Sequence, residues 1–155
     1  MPTTVPPYEV AETIRHYKSQ YARAVDTKQW DLFSSLLHPA LTASLHDLDG
    51  SLTTTSDGTK CRFSSREEYI LFLRTGFANI CSVHVVGAGE LEMVNDEDDV
   101  AAVWAMSYQL GSLDGAAGGG YTEIGGGHYH EVWKKLDGQW VIASLKFVNS
   151  FRKVI

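Results

Sequence analysis

The 155-residue chain has 44% hydrophobic and 21% charged residues, a composition typical of a globular protein with a sizeable core. Its net charge is -6 at pH 7, with a pI near 5.4. This acidic balance argues against a nucleic-acid-binding or anionic-membrane-binding surface, because phosphate groups attract clustered lysines and arginines.

A membrane-spanning or targeting segment is not expected. No stretch approaches the ~20 consecutive apolar residues of a membrane span, and "MPTTVPPYEV" lacks the charged and apolar parts of a signal peptide. Cys61 and Cys81 do not have C-x-x-C spacing, so a disulfide framework is not expected either. We therefore expect one domain over residues 1–155, with 1–7 as a flexible N-terminus, in a reducing, cytoplasmic compartment.

Three stretches in the N-terminal half have the apolar spacing of amphipathic helices. They read "PPYEVAETIRHYKSQYARAV", "KQWDLFSSLL" and "SSREEYILFLRTGF". Pro39 ends the second pattern, because proline disfavours the helical conformation of the residue before it. Ser65 and Glu68 have the spacing of a capping box at the start of the third.

The remaining segments are typical of strands. "ALTASLHDL" precedes a polar loop or short hairpin at 51–64, and after Gly76 come "ICSVHVV", "ELEMV", "DVAAVWAMSYQL", "YHEVWKKL" and "QWVIASLKFV". Turns are expected at 95–99 and 137–138, and a flexible loop at 111–120. The glycines at 125–127 are expected to open the next strand. Helices followed by strands predict an α+β fold with an antiparallel sheet wrapped over the helices and a pocket between them.

Asp26 lies where the first helical pattern ends, and two roles are open to it. Asp26-x-x-Gln29 fits a capping box for the second helix. Alternatively, Asp26 faces the pocket and orients an imidazole, in which case Thr27 could cap the helix instead. An orienting carboxylate fixes the tautomer of a histidine and raises its basicity.

His84, inside the apolar strand "CSVHVVG", is the candidate partner. A histidine in such a strand is more often a hydrogen-bonded core residue than a catalyst. Imidazoles nevertheless titrate near neutral pH, which suits proton transfer. His84 is also the only histidine flanked on both sides by strand-type apolar residues.

"HYHE" at 128–131 places His128 and His130 on one face of a strand, with Tyr129 and Glu131 on the other. Two histidines on one face suggest a metal site, but such a site usually has three protein ligands. A glutamate a few residues further along would supply the third, and positions 134 and 135 are both lysine. We therefore expect no metal. Aromatic residues of the later strands are expected to serve both the core and the pocket wall, among them Trp104, Tyr108, Trp133 and Phe147.

Three quoted pieces together resemble one family. "YARAVDTKQWDLFSSLLHPAL", "SVHVVGAGELEM" and "GGGHYHEVWKKLDGQWVIASLKF" are similar to the SnoaL-like branch of the nuclear transport factor 2-like superfamily, and most of all to its scytalone dehydratase and bile-acid 7α-dehydratase relatives. The resemblance implies a cone-shaped α+β barrel with N-terminal helices packed in the concave face of a curved antiparallel sheet.

The resemblance also implies a site. In the dehydratases an Asp–His pair works without a cofactor, and the matching positions here are Asp26 and His84. Tyr21 matches a catalytic tyrosine of the bile-acid enzyme. The scytalone dehydratase tyrosine beside the aspartate is Val25 here, its second pocket histidine falls near 109–110, and its serine and asparagine fall at 127 and 129. These departures make scytalone itself an unsuitable substrate.

The expected function is cofactor-free dehydration, isomerisation or cyclisation of an apolar polycyclic, polyketide-like or terpenoid-like molecule in secondary metabolism. A homodimer or homotrimer is expected as the assembly. The alternative is a non-catalytic ligand carrier or protein-docking module, since fold does not fix function. Substrate contacts are expected from Leu45, Trp104, Tyr108, Tyr129, Glu131, Trp133 and Phe147.

Overall fold

The computed structural model describes residues 4–94, 98–113 and 120–155. Within these ranges it has three helices and seven strands. The helices are α1 (Tyr8–Asp26), α2 (Trp30–Ser35) and α3 (Arg66–Gly76), and the strands are β1 (Leu37–His46), β2 (Arg62–Phe63), β3 (Ile80–Val86), β4 (Glu90–Val94), β5 (Asp99–Ser112), β6 (Thr122–Leu136) and β7 (Gln139–Val154). The expected turn at 95–99 and loop at 111–120 lie largely outside the described residues.

The strands form one curved, unclosed sheet in the order β2-β1-β7-β6-β5-β3, with β4 also paired to β5. The α+β class is confirmed, but the sheet is mixed rather than antiparallel, because β1 and β7 run parallel. Residues 47–138 lie between these two strands. A connection of that length allows parallel pairing, which a hairpin does not.

Both long helices begin as the sequence predicts. α1 follows Pro7 and buries one stripe against the sheet. At the start of α3, the Ser65 hydroxyl accepts the Glu68 amide at 3.2 Å. The Glu68 carboxylate in turn accepts the amide of Ser64 at 2.9 Å, one residue before the expected partner. None of the described helices is long and apolar enough to cross a membrane.

The second helix is shorter than the pattern suggested. α2 has six residues and β1 begins at Leu37, so Pro39 lies inside a strand. The register between β1 and β7 shifts between Leu37 and Thr42. Proline has no amide hydrogen to donate to a neighbouring strand. It is tolerated at Pro39 because the pairing of β1 with β7 is irregular there.

The glycines at 125–127 lie within β6 instead of preceding it, which corrects the expected start of that strand. The β6–β7 register shifts between Gly126 and Gly127, a β-bulge. A Cβ atom at Gly127 would lie 2.0 Å from the carbonyl oxygen of Val148, so the two backbones are too close here for any residue larger than glycine. The turn at 137–138 is confirmed, with φ of 51° at Asp137 and 81° at Gly138.

Residues 1–3 of the expected flexible N-terminus lie outside the described part of the chain. The carbonyl of Thr4 accepts the amide of Met93 at 2.8 Å, which ties residue 4 to β4. Both cysteines are free thiols, Cys61 buried and Cys81 exposed.

Candidate active site

Asp26, the last residue of α1, reaches β3 with both carboxylate oxygens. Oδ1 accepts hydrogen bonds from His84 Nδ1 at 2.5 Å and from the Ser82 hydroxyl at 2.8 Å, and Oδ2 accepts the main-chain amide of His84 at 2.9 Å. Three donors on one strand therefore fix the carboxylate. The side chains of His84 and Asp26 are 12% and 15% exposed, so solvent competes little for these bonds.

Local structure explains why these groups meet. Ser82 and His84 are two residues apart on β3, so their side chains point to the same face. α1 packs against β3 and ends there, which carries Asp26 to that face.

The alternative role of Asp26 as a helix cap is wrong. The N-cap of α2 is Gln29, and it makes no side-chain capping bond. Thr27 does not cap α2 either, since its hydroxyl donates back to the Arg23 carbonyl at 2.7 Å.

Electrostatics favour an ionised Asp26. Burial alone would raise the pKa of the carboxyl group, but hydrogen bonds from the His84 imidazole, the His84 amide and the Ser82 hydroxyl outweigh burial and hold the pKa below its usual value. A carboxylate can only accept hydrogen bonds, so Nδ1 of His84 carries the proton. The lone pair of the imidazole then lies on Nε2.

A cavity of about 660 Å³ lies between the helices and the concave face of the sheet, and His84 is part of its wall. This volume is in the range of small-molecule sites. Residues 53–56 and Asp47 supply polar groups to the wall. The helices supply a largely apolar wall made of Tyr21, Ala22, Val25, Tyr69, Phe72 and Leu73.

Tyr21 contacts a second tyrosine, Tyr69 of α3, which was not among the predicted site residues. The hydroxyls of Tyr21 and Tyr69 are 2.8 Å apart, and both residues line the cavity. Burial raises the pKa of Tyr21 well above its usual value, and the neighbouring Tyr129 and Tyr69 raise it further. Tyr21 is therefore a protonated hydrogen-bonding group in the cavity wall.

Four of the seven expected substrate contacts line the cavity, namely Leu45, Tyr108, Tyr129 and Phe147. Trp104, Glu131 and Trp133 do not, although they lie on the same inner face. Glu131 accepts the indole N–H groups of Trp104 at 2.7 Å and Trp133 at 2.9 Å, and it forms a buried ion pair with Lys18 of α1.

The prediction that Trp104, Glu131 and Trp133 contact the substrate is therefore wrong. α1 covers this end of the inner face, and the ammonium group of Lys18 fills the space above Glu131. Both carboxylate oxygens of Glu131 are already bonded inside the core, so neither contacts the cavity.

His128 and His130 lie on the outer face and are exposed. Strand alternation predicted that they share a face, but did not predict which face. His128 Nδ1 is 3.3 Å from the Ser150 hydroxyl. Among residues 4–94, 98–113 and 120–155, no group of three or more His, Cys, Asp or Glu side chains is arranged to hold a metal ion.

Several residues of the cavity wall were not predicted. Glu123 and Arg152 form an ion pair with 2.9 Å between Oε1 and Nη2. Asn149 donates to the His46 carbonyl at 3.0 Å, while its buried Oδ1 has no hydrogen-bond partner within the described ranges. Glu123 could have been predicted from the sequence, because it lies an even number of residues from Tyr129 in the same strand and therefore points to the same face. Ser82 could likewise have been found two residues before His84.

Comparison with known sequences decides the family. The SnoaL-like domain model matches residues 8–146. The chain belongs to the SnoaL-like family. It is 34% identical over 147 residues to the probable cyclase FGR4 of Gibberella zeae, with 95% of each chain covered.

Solved structures show the same SnoaL-like fold. A Novosphingobium aromaticivorans protein provisionally named a scytalone dehydratase matches with a TM-score of 0.73 and 12% identity, over 92% of this chain and 85% of that one. A type 2 hexachlorocyclohexane dehydrochlorinase matches with a TM-score of 0.70 and 14% identity, over 93% and 87%. At these identities the likeness concerns the fold alone.

Proposed function

We propose that this SnoaL-like protein is a cofactor-free acid–base enzyme, a dehydratase, isomerase or cyclase, that acts on an apolar polycyclic molecule of the polyketide or terpenoid kind. The observation that carries the proposal is the 2.5 Å hydrogen bond to Asp26 from His84, which lines a largely apolar cavity. The similarity to a probable cyclase supports an enzyme of this type.

In this mechanism His84 Nε2 removes a proton from the carbon next to a substrate carbonyl. Asp26 keeps the ring in the required tautomer and stabilises the imidazolium that forms. General base assistance of this kind supplies typically ~10²–10⁴-fold in rate, and positioning in the cavity supplies more.

The Tyr21 hydroxyl, supported by Tyr69, donates to the carbonyl oxygen as it gains negative charge. If the substrate carries a hydroxyl on the next carbon, the C–O bond breaks, the hydroxyl takes the proton, and water and a C=C bond result. If the proton returns to another carbon, the product is an isomer. If the carbanion attacks a second carbonyl carbon of the same molecule, a ring closes, and the alkoxide that forms takes the proton from His84.

Proton exchange tests the proposal without knowledge of the natural substrate. Apolar cyclic ketones such as 1-tetralone are incubated with the protein in D₂O, and deuterium at the α-carbon is followed by mass spectrometry. We expect exchange with the wild type and its loss in His84→Gln. His128→Gln is the matched control, because His128 is exposed on the outer face.

The same experiment separates the enzyme from a carrier. A carrier needs the cavity but not the Asp26–His84 contact. Binding of the ketone without α-exchange above the buffer rate would favour the carrier, and exchange at the wild-type rate in His84→Gln would remove His84 from its assigned role.

A further inference from the structure

A second polar cluster lies in the cavity wall next to His84. We call it the Glu123 cluster; it consists of Tyr108, Tyr121, Glu123 and Arg152. Tyr108 donates to Glu123 Oε2 at 2.7 Å, and Tyr121 donates to Oε1. Arg152 donates to Oε1 from Nε at 3.0 Å and lies 2.9 Å from it through Nη2.

The cluster is centred on a buried carboxylate. Glu123 is 5% exposed, whereas the side chain of Arg152 is 49% exposed. The donors come from β5, from β7 and from Tyr121, the residue before β6. Gly125 leaves space for the Tyr108 side chain, since a Cβ atom at position 125 would lie 2.5 Å from the Tyr108 hydroxyl oxygen. The backbone of β6 is thus shaped to let the Tyr108 ring cross it and reach Glu123.

The hydrogen-bond directions determine what the cluster can offer to a ligand. Both phenol protons and the Nε and Nη2 groups of Arg152 point at Glu123. A guanidinium has five N–H donors, so donors remain for an oxygen acceptor, and the phenol oxygens keep lone pairs for a hydroxyl proton. The charges of Glu123 and Arg152 cancel, so the cluster has no net charge with which to attract an anion.

We propose that the Glu123 cluster is a second polar subsite of the cavity, which binds an uncharged oxygen substituent of the substrate, a ketone or a phenolic hydroxyl, and disfavours a carboxylate. A desolvated carboxylate would gain little from a neutralised guanidinium and would be repelled by Glu123.

This inference rests on the proposed function and narrows its substrate class. The ring centroids of Tyr108 and His84 are 6.1 Å apart, so the Tyr108 ring of the cluster lies beside the base. The substrate then carries two oxygen functions, one at Tyr21 and one at the Glu123 cluster, joined by an apolar body.

Two probes with the same ring system test the subsite: neutral 2-naphthol and anionic 2-naphthoate, titrated into the full-length protein at pH 7. We expect the wild type to bind 2-naphthol at least about tenfold more tightly, a difference of ~1.4 kcal/mol. In Glu123→Gln the guanidinium is no longer neutralised. We therefore expect 2-naphthoate affinity to rise about tenfold relative to 2-naphthol, and to fall back in Glu123→Gln/Arg152→Met.

Tyr108→Phe gives a second measurement that leaves the ion pair in place. It removes one phenol oxygen and should weaken 2-naphthol several-fold. The proposal is overturned if the wild type binds both probes equally, or if Glu123→Gln, shown folded by circular dichroism, leaves their affinity ratio unchanged. His84→Gln should abolish α-proton exchange but keep the affinity ratio, so failure of the subsite and failure of the proposed function are distinguishable.

Discussion

Asp26 holds His84 at two points, the imidazole Nδ1 and the main-chain amide. The ring and the strand that carries it are therefore positioned by one carboxylate. An amide in its place can accept from only one of these donors through its oxygen, while its NH₂ group must donate elsewhere.

Asp26→Asn is expected to preserve the fold and abolish proton exchange. The Asn oxygen would accept the His84 amide, and its NH₂ group would face Nδ1, which favours the tautomer with the proton on Nε2. Replacing the orienting carboxylate of a hydrolytic triad in this way costs about 10⁴-fold, and we expect a loss of that order. The measurement is α-proton exchange of 1-tetralone together with ¹⁵N shifts of the His84 ring.

Asp26→Ala is the companion variant. It should lose exchange to a similar degree and also lose stability, because the His84 amide and the Ser82 hydroxyl both lose their acceptor. Wild-type ring shifts in Asp26→Asn would contradict the tautomer argument.

Stability should depend on pH through Asp26. Its folded pKa lies below the ordinary value of 3.8, so its contribution is fully present above the unfolded pKa and is lost as pH falls through the folded pKa. The free energy of unfolding of the wild type, minus that of Asp26→Asn, should therefore be constant above about pH 5 and shrink below about pH 4. Urea unfolding at several pH values measures this difference; a gap that widens on acidification would refute the assignment.

Lys18→Met should destabilise the protein by about 3–5 kcal/mol, because it leaves Glu131 as a buried charge without its cation. Lys18 is fully buried, and its Nζ lies 3.6 Å from the ring centroid of Tyr129. Lys18→Met/Glu131→Gln should recover most of the loss, since a neutral amide oxygen still accepts the indole N–H groups of Trp104 and Trp133. Urea unfolding of both variants checks this, and equal destabilisation would count against a charge effect.

Tyr21→Phe should lower α-proton exchange by about 10²-fold, the usual cost of removing one donor to a developing oxyanion. Tyr69→Phe should have a smaller effect, because it leaves the Tyr21 hydroxyl in place. Each variant should lose about 1 kcal/mol of stability. Tyr17→Phe, on the same helix but outside the cavity wall, is the control. Equal exchange rates in Tyr21→Phe and Tyr17→Phe would rule out the role.

Gly125→Ala should destabilise the protein by about 1–3 kcal/mol and weaken 2-naphthol binding. Its Cβ would lie 2.5 Å from the Tyr108 hydroxyl oxygen and 2.7 Å from the Phe151 carbonyl oxygen, and the second atom belongs to the backbone. Gly76→Ala is the matched control, because nothing lies within 4 Å of its Cβ. Thermal unfolding and probe titration measure both effects, and wild-type values for Gly125→Ala would contradict the close approach.

Strand alternation predicted that Tyr129 and Glu131 share one face of β6, but not which face is inward, nor how far along the strand the cavity extends. Tyr129 lines the cavity, whereas Glu131, two residues on, lies under α1. Where a helix covers a sheet depends on contacts between distant residues, here Lys18 and Glu131. The spacing of apolar residues within one segment does not predict a contact between residues this far apart in the sequence.

The position of Arg152 could not be predicted for a related reason. Phe147 and Asn149 share one parity in β7, and Arg152 has the other, yet all three line the cavity. The bulge opposite Gly126 and Gly127 inserts an extra residue and reverses the alternation. The parallel β1–β7 pairing is likewise a choice between distant segments, whereas α1, α3 and the hairpin turn at 137–138 follow from local spacing and turn residues.

The main-chain bond from His84 to Asp26 has a consequence for association between molecules. In the described sheet β3 ends the strand order, and a strand in that place offers amides that can pair with a strand of another chain. The Asp26 carboxylate occupies one such amide with a charged group. Asp26, which is assigned to orienting the catalytic base, therefore also protects this edge of the sheet from adding a foreign strand, and we expect its loss to promote aggregation as well as inactivity.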